Sequence, residues 1–323
     1  MLLSLCKIIS LLFFSTFSQA SNPEILLARL THHQSTNSPL YDPNLSLEEL
    51  AEISLKSSIS RGLYLTTNST RWFQLDDIEA DLTPASVWDG FLLPKQYNAS
   101  RFSYCFGKIS NRSYPHSTLV IGSNNIVHGS VFTTPLVIED DRYYVNMEIL
   151  MVGERLFELD PLIFTRNTSE DSDGGVILDT GLSLSFMPFD VVIDIETVYT
   201  RLIESLGLTP NTSITYRNKV TRFCYNGVVT RDLTNGFPTM KLVFRGGAVM
   251  EMEADSVFQQ THNGTFCLAI LPSEHVLGVT TTILGTLMQQ NFNVVYDIEW
   301  NNVSFTKGDC QTVEDYYDVN DEL

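Results

Sequence analysis

The segment Gly174-Gly175-Val176-Ile177-Leu178-Asp179-Thr180-Gly181 holds the side chains of this chain best suited to chemistry. A short apolar run ends in an acid, a hydroxyl residue and a glycine. That order predicts a strand delivering the Asp179 carboxylate to a tight turn, where Gly181 lets the backbone curl around it. A carboxylate held in this way can take up or hand over a proton. Leu184-Ser185-Phe186-Met187-Pro188 and a helix follow. Far downstream, Ile283-Leu284-Gly285 offers two apolar residues and a glycine able to pass beside the Asp loop.

Other chemistries find little support. The six histidines (His32, His33, His116, His128, His262 and His275) include no metal-spaced pair beyond the adjacent His32-His33, so no metal is expected. Neither a Gly-rich phosphate loop nor a G-x-S-x-G elbow is present, and no cofactor is expected.

The elements that must position Asp179 are short β runs. Ser117–Ile121, Tyr143–Val152, Gly175–Asp179, Thr239–Phe244, Thr265–Leu271 and Phe292–Asp297 read as strands, separated by turns such as Gly246-Gly247 and Asn301-Asn302. The alternations Met240/Leu242/Phe244 and Phe292/Val294/Tyr296 predict sheets with one buried face. Between Pro188 and Gly207, Val191, Ile195, Val198, Tyr199, Leu202 and Leu206 recur at helical spacing. Upstream, residues 21–61 form a polar leader with a helix near its end. Ser46-Leu47-Glu48-Glu49 is a capping box, and Leu47, Leu50, Ala51, Leu55 and Ile59 make an apolar stripe that must dock on something. The leader reads as a removable prosegment or as the first helix of the domain. Residues 62–100 show no sustained period, and the acidic end, 312–323, is expected to be mobile.

Composition narrows the class. The 323 residues are 43% hydrophobic and carry 38 acidic against 20 basic side chains, a net charge of −18. Such a field repels phosphate backbones, which argues against a nucleic-acid partner. It suits work at low pH, and equally a simple need for solubility. Lys7, the apolar Ile8–Phe17 and Ser18-Gln19-Ala20 read as an export signal over residues 1–20, too short to span a bilayer. Eight N-x-S/T sequons, at Asn44, Asn68, Asn98, Asn111, Asn167, Asn211, Asn263 and Asn302, point to the same lumenal route. Once Cys6 leaves with the signal, Cys105, Cys224, Cys267 and Cys310 remain. An even count in a secreted chain predicts two disulfides among three possible pairings. The closing Asn320-Asp321-Glu322-Leu323 faintly resembles an endoplasmic-reticulum retrieval signal.

The Asp179 segment resembles the C-terminal half of the pepsin-like aspartic peptidases, in particular their plant nepenthesin-type branch. Arg101-Phe102-Ser103-Tyr104-Cys105, Thr133-Thr134-Pro135-Leu136-Val137, Phe266-Cys267-Leu268-Ala269, Gln289-Gln290-Asn291-Phe292, Tyr296-Asp297 and Val303-Ser304-Phe305 fall in the order that branch shows. The leader's Ser38-Pro39-Leu40-Tyr41-Asp42-Pro43 resembles its prosegment. The resemblance implies a mainly β, pepsin-like acid protease fold with one complete C-terminal lobe, residues 101–311, and a vestigial N-terminal lobe within 62–100. It implies the pairings Cys105–Cys310 and Cys224–Cys267, and an aspartic-type endopeptidase with Asp179 as its second catalytic carboxylate, supported by Thr180, Gly181 and Gly285. Location would be extracellular, or apoplast or vacuole in a plant, and a substrate would be a protein or peptide.

The family's reaction uses two aspartates that share a proton and hold one water. Their roles separate because two negative charges about 3 Å apart cannot coexist cheaply. This chain departs from the pattern twice. It has no second Asp-Thr-Gly or Asp-Ser-Gly; Asp76, Asp77, Asp81 and Asp89 stand in the gap without that turn. Leu182 also replaces the hydroxyl residue that donates to the catalytic carboxylate in the family. Four expectations follow: a relic turn without chemistry, a homodimer joining two copies of Asp179, a non-catalytic binder or inhibitor of a glycan hydrolase, or a truncated gene product. Loss of the first lobe also predicts an exposed apolar face and poor solubility.

Overall fold

The computed structural model describes residues 25–32, 35–67, 99–109, 111–122, 132–139, 142–166, 174–212, 222–234 and 236–313. The export signal, the four gap aspartates, residues 314–323 of the acidic end and the sequons Asn68, Asn98 and Asn167 lie outside the described residues.

The molecule is mainly β, and among the described residues the strands form four sheets. The first runs in the order β1 (Ile25–Leu30), β3 (Ser117–Gly122), β2 (Arg101–Cys105), β18 (Phe292–Asp297), β19 (Asn302–Lys307), β4 (Thr133–Pro135). The second, which carries the Asp179 loop, is ordered β16 (Ile270–Pro272), β10 (Ser185–Met187), β17 (Thr282–Leu284), β9 (Val176–Leu178), β6 (Arg142–Val145), β5 (Val137–Glu139). A three-stranded sheet joins β11 (Cys224–Asn226), β15 (Thr265–Leu268) and β14 (Phe258–His262). A four-stranded one joins β13 (Val249–Met252), β12 (Met240–Phe244), β7 (Met147–Val152) and β8 (Arg155–Phe157).

The period-2 pattern of β12 does what alternation requires: Met240, Leu242 and Phe244 are buried, Lys241 and Val243 half-buried. Two runs that read as single strands are divided. Tyr143–Val152 breaks at Asn146, whose Oδ1 accepts the Arg166 N–H at 2.7 Å, so β6 and β7 serve different sheets. Thr265–Leu271 breaks at Ala269, whose N–H turns away to the Val257 carbonyl at 2.8 Å.

Two long helices complete the frame. In α2 (Phe189–Ser205) Val192, Ile195, Tyr199 and Ile203 are buried in the main core, while Leu206, counted in the sequence stripe, is 51% exposed. Helix α1 (Leu47–Thr67) begins at the capping box. Ser46 N–H donates to Glu49 Oε2 at 2.8 Å and Glu49 N–H to Ser46 Oγ at 3.2 Å.

The leader is more than a helix. Ile25–Leu30 is an edge strand, paired antiparallel to β3 from Ile25↔Gly122 to Leu30↔Ser117. The expectation of an exposed apolar face is also corrected. Leu55, Ile59, Leu63 and Leu65 of α1 form one buried cluster with Leu182, Leu184, Phe186, Leu277, Ile283 and Leu287 of the second sheet and its loops. The face that loss of a lobe was expected to leave bare is covered by α1.

Candidate active site

Strands β9 and β17 lie parallel, with Ile177 opposite Ile283 and Leu178 opposite Leu284. Parallel neighbours leave the sheet at the same end, so Asp179 and Gly285 emerge side by side. The Asp179 N–H donates to the Leu284 carbonyl at 3.2 Å, and the Gly285 N–H to Ser185 Oγ at 2.9 Å. A Cβ on Gly285 would lie 2.5 Å from the Leu184 carbonyl oxygen and 2.6 Å from Leu182 Cδ1. The position needs a glycine because Leu184 backbone, which cannot swing aside, shares that space with the Leu182 side chain.

Asp179 is 6% exposed and its two oxygens are fully engaged. The Gly181 N–H donates to Oδ1 at 2.7 Å, closing the turn. Arg61, from the last turns of α1, donates through Nη2 to Oδ2 at 2.8 Å and through Nε to Oδ2 and Oδ1 at 3.2 and 3.3 Å. Three N–H groups thus meet the carboxylate, the Arg61 Nε–H being shared between its two oxygens. Three residues earlier on the same helix, Ser58 Oγ accepts the N–H groups of Ser183 and Leu184 at 3.1 and 3.0 Å. Helix α1 is pinned to the Asp179 loop by polar contacts at its centre and apolar ones around them.

Beneath the loop, Gln289 Nε2 donates to the carbonyls of Leu284 at 2.7 Å and Asp179 at 3.2 Å. Its Oε1 accepts the Tyr104 hydroxyl, which also lies 3.1 Å from the Tyr296 hydroxyl. This chain of contacts ties the first sheet to the second under the site. Burial pushes both phenols well above the ordinary tyrosine range, and the nearby Asp179 carboxylate adds to the shift.

Of the residues singled out in the sequence, Asp179, Gly181 and Gly285 converge. Thr180 is exposed. Leu182, only 1% exposed, packs in that cluster; an apolar side chain fits there because α1 lies over it. Cys105 is bonded to Cys310, and Cys224 to Cys267, its cross-strand partner between β11 and β15. Arg61 and Ser58 were missed. The available signal was the run of small residues Ser54, Ser58 and Gly62, spaced by four, which marks a helix face built for close approach. A Cβ on Gly62 would lie 2.9 Å from Leu277 Cδ2.

An acid-bearing turn at the end of two parallel, neighbouring strands, on a lobe of short sheets, marks a pepsin-like protein. Residues 142–307 match the family described as xylanase inhibitor C-terminal. Aspartic proteinase nepenthesin-1 of Nepenthes gracilis is 30% identical over 225 residues, 68% of this chain and 47% of the relative. Aspartic proteinase nepenthesin-2 of the same plant is 27% identical over 227 residues, 69% of this chain and 48% of the relative. The chain spans about half the length of the curated relatives it matches. The crystal structure of basic 7S globulin from soybean shares the fold, with a TM-score of 0.52 at 18% identity over 68% of this chain and 57% of that one. This chain belongs to the plant pepsin-like family, through its match to the family described as xylanase inhibitor C-terminal.

Proposed function

We propose that this chain is a secreted, glycosylated, pepsin-like protein that binds rather than cleaves, with Asp179 serving as the buried anion of Arg61. The observation that carries this reading is the saturation of the carboxylate by Arg61 and Gly181. Aspartic proteolysis asks one carboxylate to accept a proton from water and a second to donate to the substrate carbonyl. An Asp179 whose oxygens already accept three N–H groups, one of them shared between both oxygens, leaves little acceptor capacity for that water. The binding reading draws on the family's description as xylanase inhibitor, which makes a glycan-cleaving enzyme the partner class.

A secretory location is supported by the export-signal composition of residues 1–20 and by the sequons. Asn44, Asn111 and Asn263 are exposed, whereas Asn211 donates through Nδ2 to Asn226 Oδ1 and Thr265 Oγ1 at 3.0 and 3.1 Å. Glycans are therefore proposed at the first three. Among the described residues no helix is long and apolar enough to cross a membrane.

A second reading rests on the relatives' names. It makes the chain part of an aspartic endopeptidase, with Asp179 as one of two catalytic carboxylates. Incubating the purified full chain with a peptide library at acidic pH separates the two. No cleavage sensitive to a transition-state-mimicking aspartic protease inhibitor is expected. Inhibitor-sensitive cleavage that disappears in Asp179→Ala would establish the endopeptidase and overturn the binder.

A further inference from the structure

We propose that a pocket between the turn after β1 and the loop joining β2 to β3 binds a single carboxylate group, with Arg112 as its anchor. The pocket shares no residue with the Asp179 site. Leu30, His32 and Ser35 form one wall, and residues from the segment 107–117 form the other. Hydrogen bonds hold the two walls together. The Thr36 N–H donates to the Arg112 carbonyl at 2.9 Å, and the Ser35 and Thr36 hydroxyls each donate to the same oxygen at 3.2 Å. With its main chain pinned by three donors, Arg112 presents its side chain from a fixed point. Tyr114 is fixed as well. Its hydroxyl donates to Asp309 Oδ1 at 2.7 Å, and its ring lies over Gly107, where any Cβ would collide with it.

Charge is inverted here relative to the chain as a whole. The net charge is −18, yet His32, Lys108, Arg112 and His116 line the pocket and, among the described residues, no carboxylate does. Lys108 is matched by Asp255, with Nζ 3.1 Å from Oδ2. Arg112 Nη2, by contrast, is buried and has no hydrogen-bond partner among the described residues. A guanidinium cannot give up its proton, and a buried donor left unsatisfied is costly. An anion taken from solution removes that cost. Size and shape select the anion. The cavity volume is about 20 Å³, little more than a single water needs, so only the tip of a ligand enters. One planar guanidinium fork matches one planar carboxylate through two parallel N–H···O bonds. The remainder of the ligand stays outside, and the residues at the rim decide whether it is a sugar acid or an acidic amino acid.

The test is a melting-temperature titration of the full chain, secreted and deglycosylated, with acetate, glucuronate and N-acetylglutamate at constant ionic strength. A saturable rise is expected with a carboxylate probe. In Arg112→Met the affinity is expected to fall about tenfold or more, the loss of a hydrogen-bonded partner to a charged group. Arg155→Gln changes an exposed arginine outside the pocket and is expected to bind as the parent does. Glucuronate binding more tightly than acetate assigns a sugar acid, and N-acetylglutamate doing so assigns an acidic amino acid. The variants are also melted without ligand. Arg112→Met removes an unsatisfied buried donor and is expected to melt at or above the parent temperature, whereas a purely structural arginine would give a lower one. The proposal is overturned by no saturable rise with any probe, by a rise that survives Arg112→Met, by equal loss in Arg155→Gln, or by an Arg112→Met chain that melts below the parent.

Discussion

Arg61 Nη2 lies 2.8 Å from Asp179 Oδ2 although 118 residues separate the two in sequence. Both side chains are largely buried, at 13% and 7% exposed. A buried pair is strongly asymmetric under mutation. Removing only Arg61 leaves a nearly buried carboxylate without its cation, and Arg61→Ala is expected to cost about 3–5 kcal/mol in denaturant unfolding. Replacing both partners with apolar residues, Arg61→Met with Asp179→Leu, is expected to restore stability close to that of the parent. A double variant as unstable as Arg61→Ala alone would show that the ion pair is not the source of the loss.

Ser58 makes a narrower test of the same docking. Ser58→Ala keeps the helix propensity and the volume nearly intact but leaves two backbone N–H groups without an acceptor. Such groups cost about 1–3 kcal/mol each when left unsatisfied. A loss of that order is expected in chemical denaturation, together with faster amide exchange at Ser183 and Leu184. Unchanged exchange there would contradict the role given to the hydroxyl.

Gly285→Ala tests the loop crossing. The added methyl would sit 2.5 Å from a backbone oxygen, so relief requires moving main chain. A cost of about 1–3 kcal/mol is expected, read as a lower melting temperature. Combining it with Leu182→Ala relieves only the side-chain half of the clash and is not expected to rescue it.

The tyrosines beneath the site predict alkaline behaviour. Tyr104 and Tyr296 keep their protons in the folded chain above the ordinary phenol value of 10.0, burial being the main cause. Above that pH the unfolded chain binds fewer protons than the folded one, so stability falls as pH rises. Their contribution is fully present below the unfolded value and is lost as pH climbs toward the folded one. Melting temperature should decline steadily above about pH 10, and their phenolate absorbance should appear only with unfolding. Phenolate formation by these residues in the native chain would refute this.

Much of the second lobe was legible because its signals are local. The capping box at Ser46 and Glu49, the alternation in Met240–Phe244 and the Asp179-Thr180-Gly181 turn each declare themselves within a few residues. The partner of Asp179 was not legible. Arg61 stands on a helix whose stripe announces only that it docks, and the sequence does not say where. Strand β1 was hidden for the same reason: Ile25–Leu30 is a strand by virtue of β3, about ninety residues away, and nothing adjacent to it marks a hairpin. Leu182, read as the loss of a hydroxyl, makes sense once α1 is seen lying over it.

The bridge between Cys105 and Cys310 closes a covalent loop over a sequence separation of 205 residues. A protease that nicks the chain once anywhere inside that loop produces two pieces that stay tethered, so the damage is invisible on a non-reducing gel. A nick before Cys105 has no such tether, and whatever survives it does so by packing alone. The Asp179-bearing lobe is thus covalently held together against a single cut, while its cover depends on the fit of a single helix and strand.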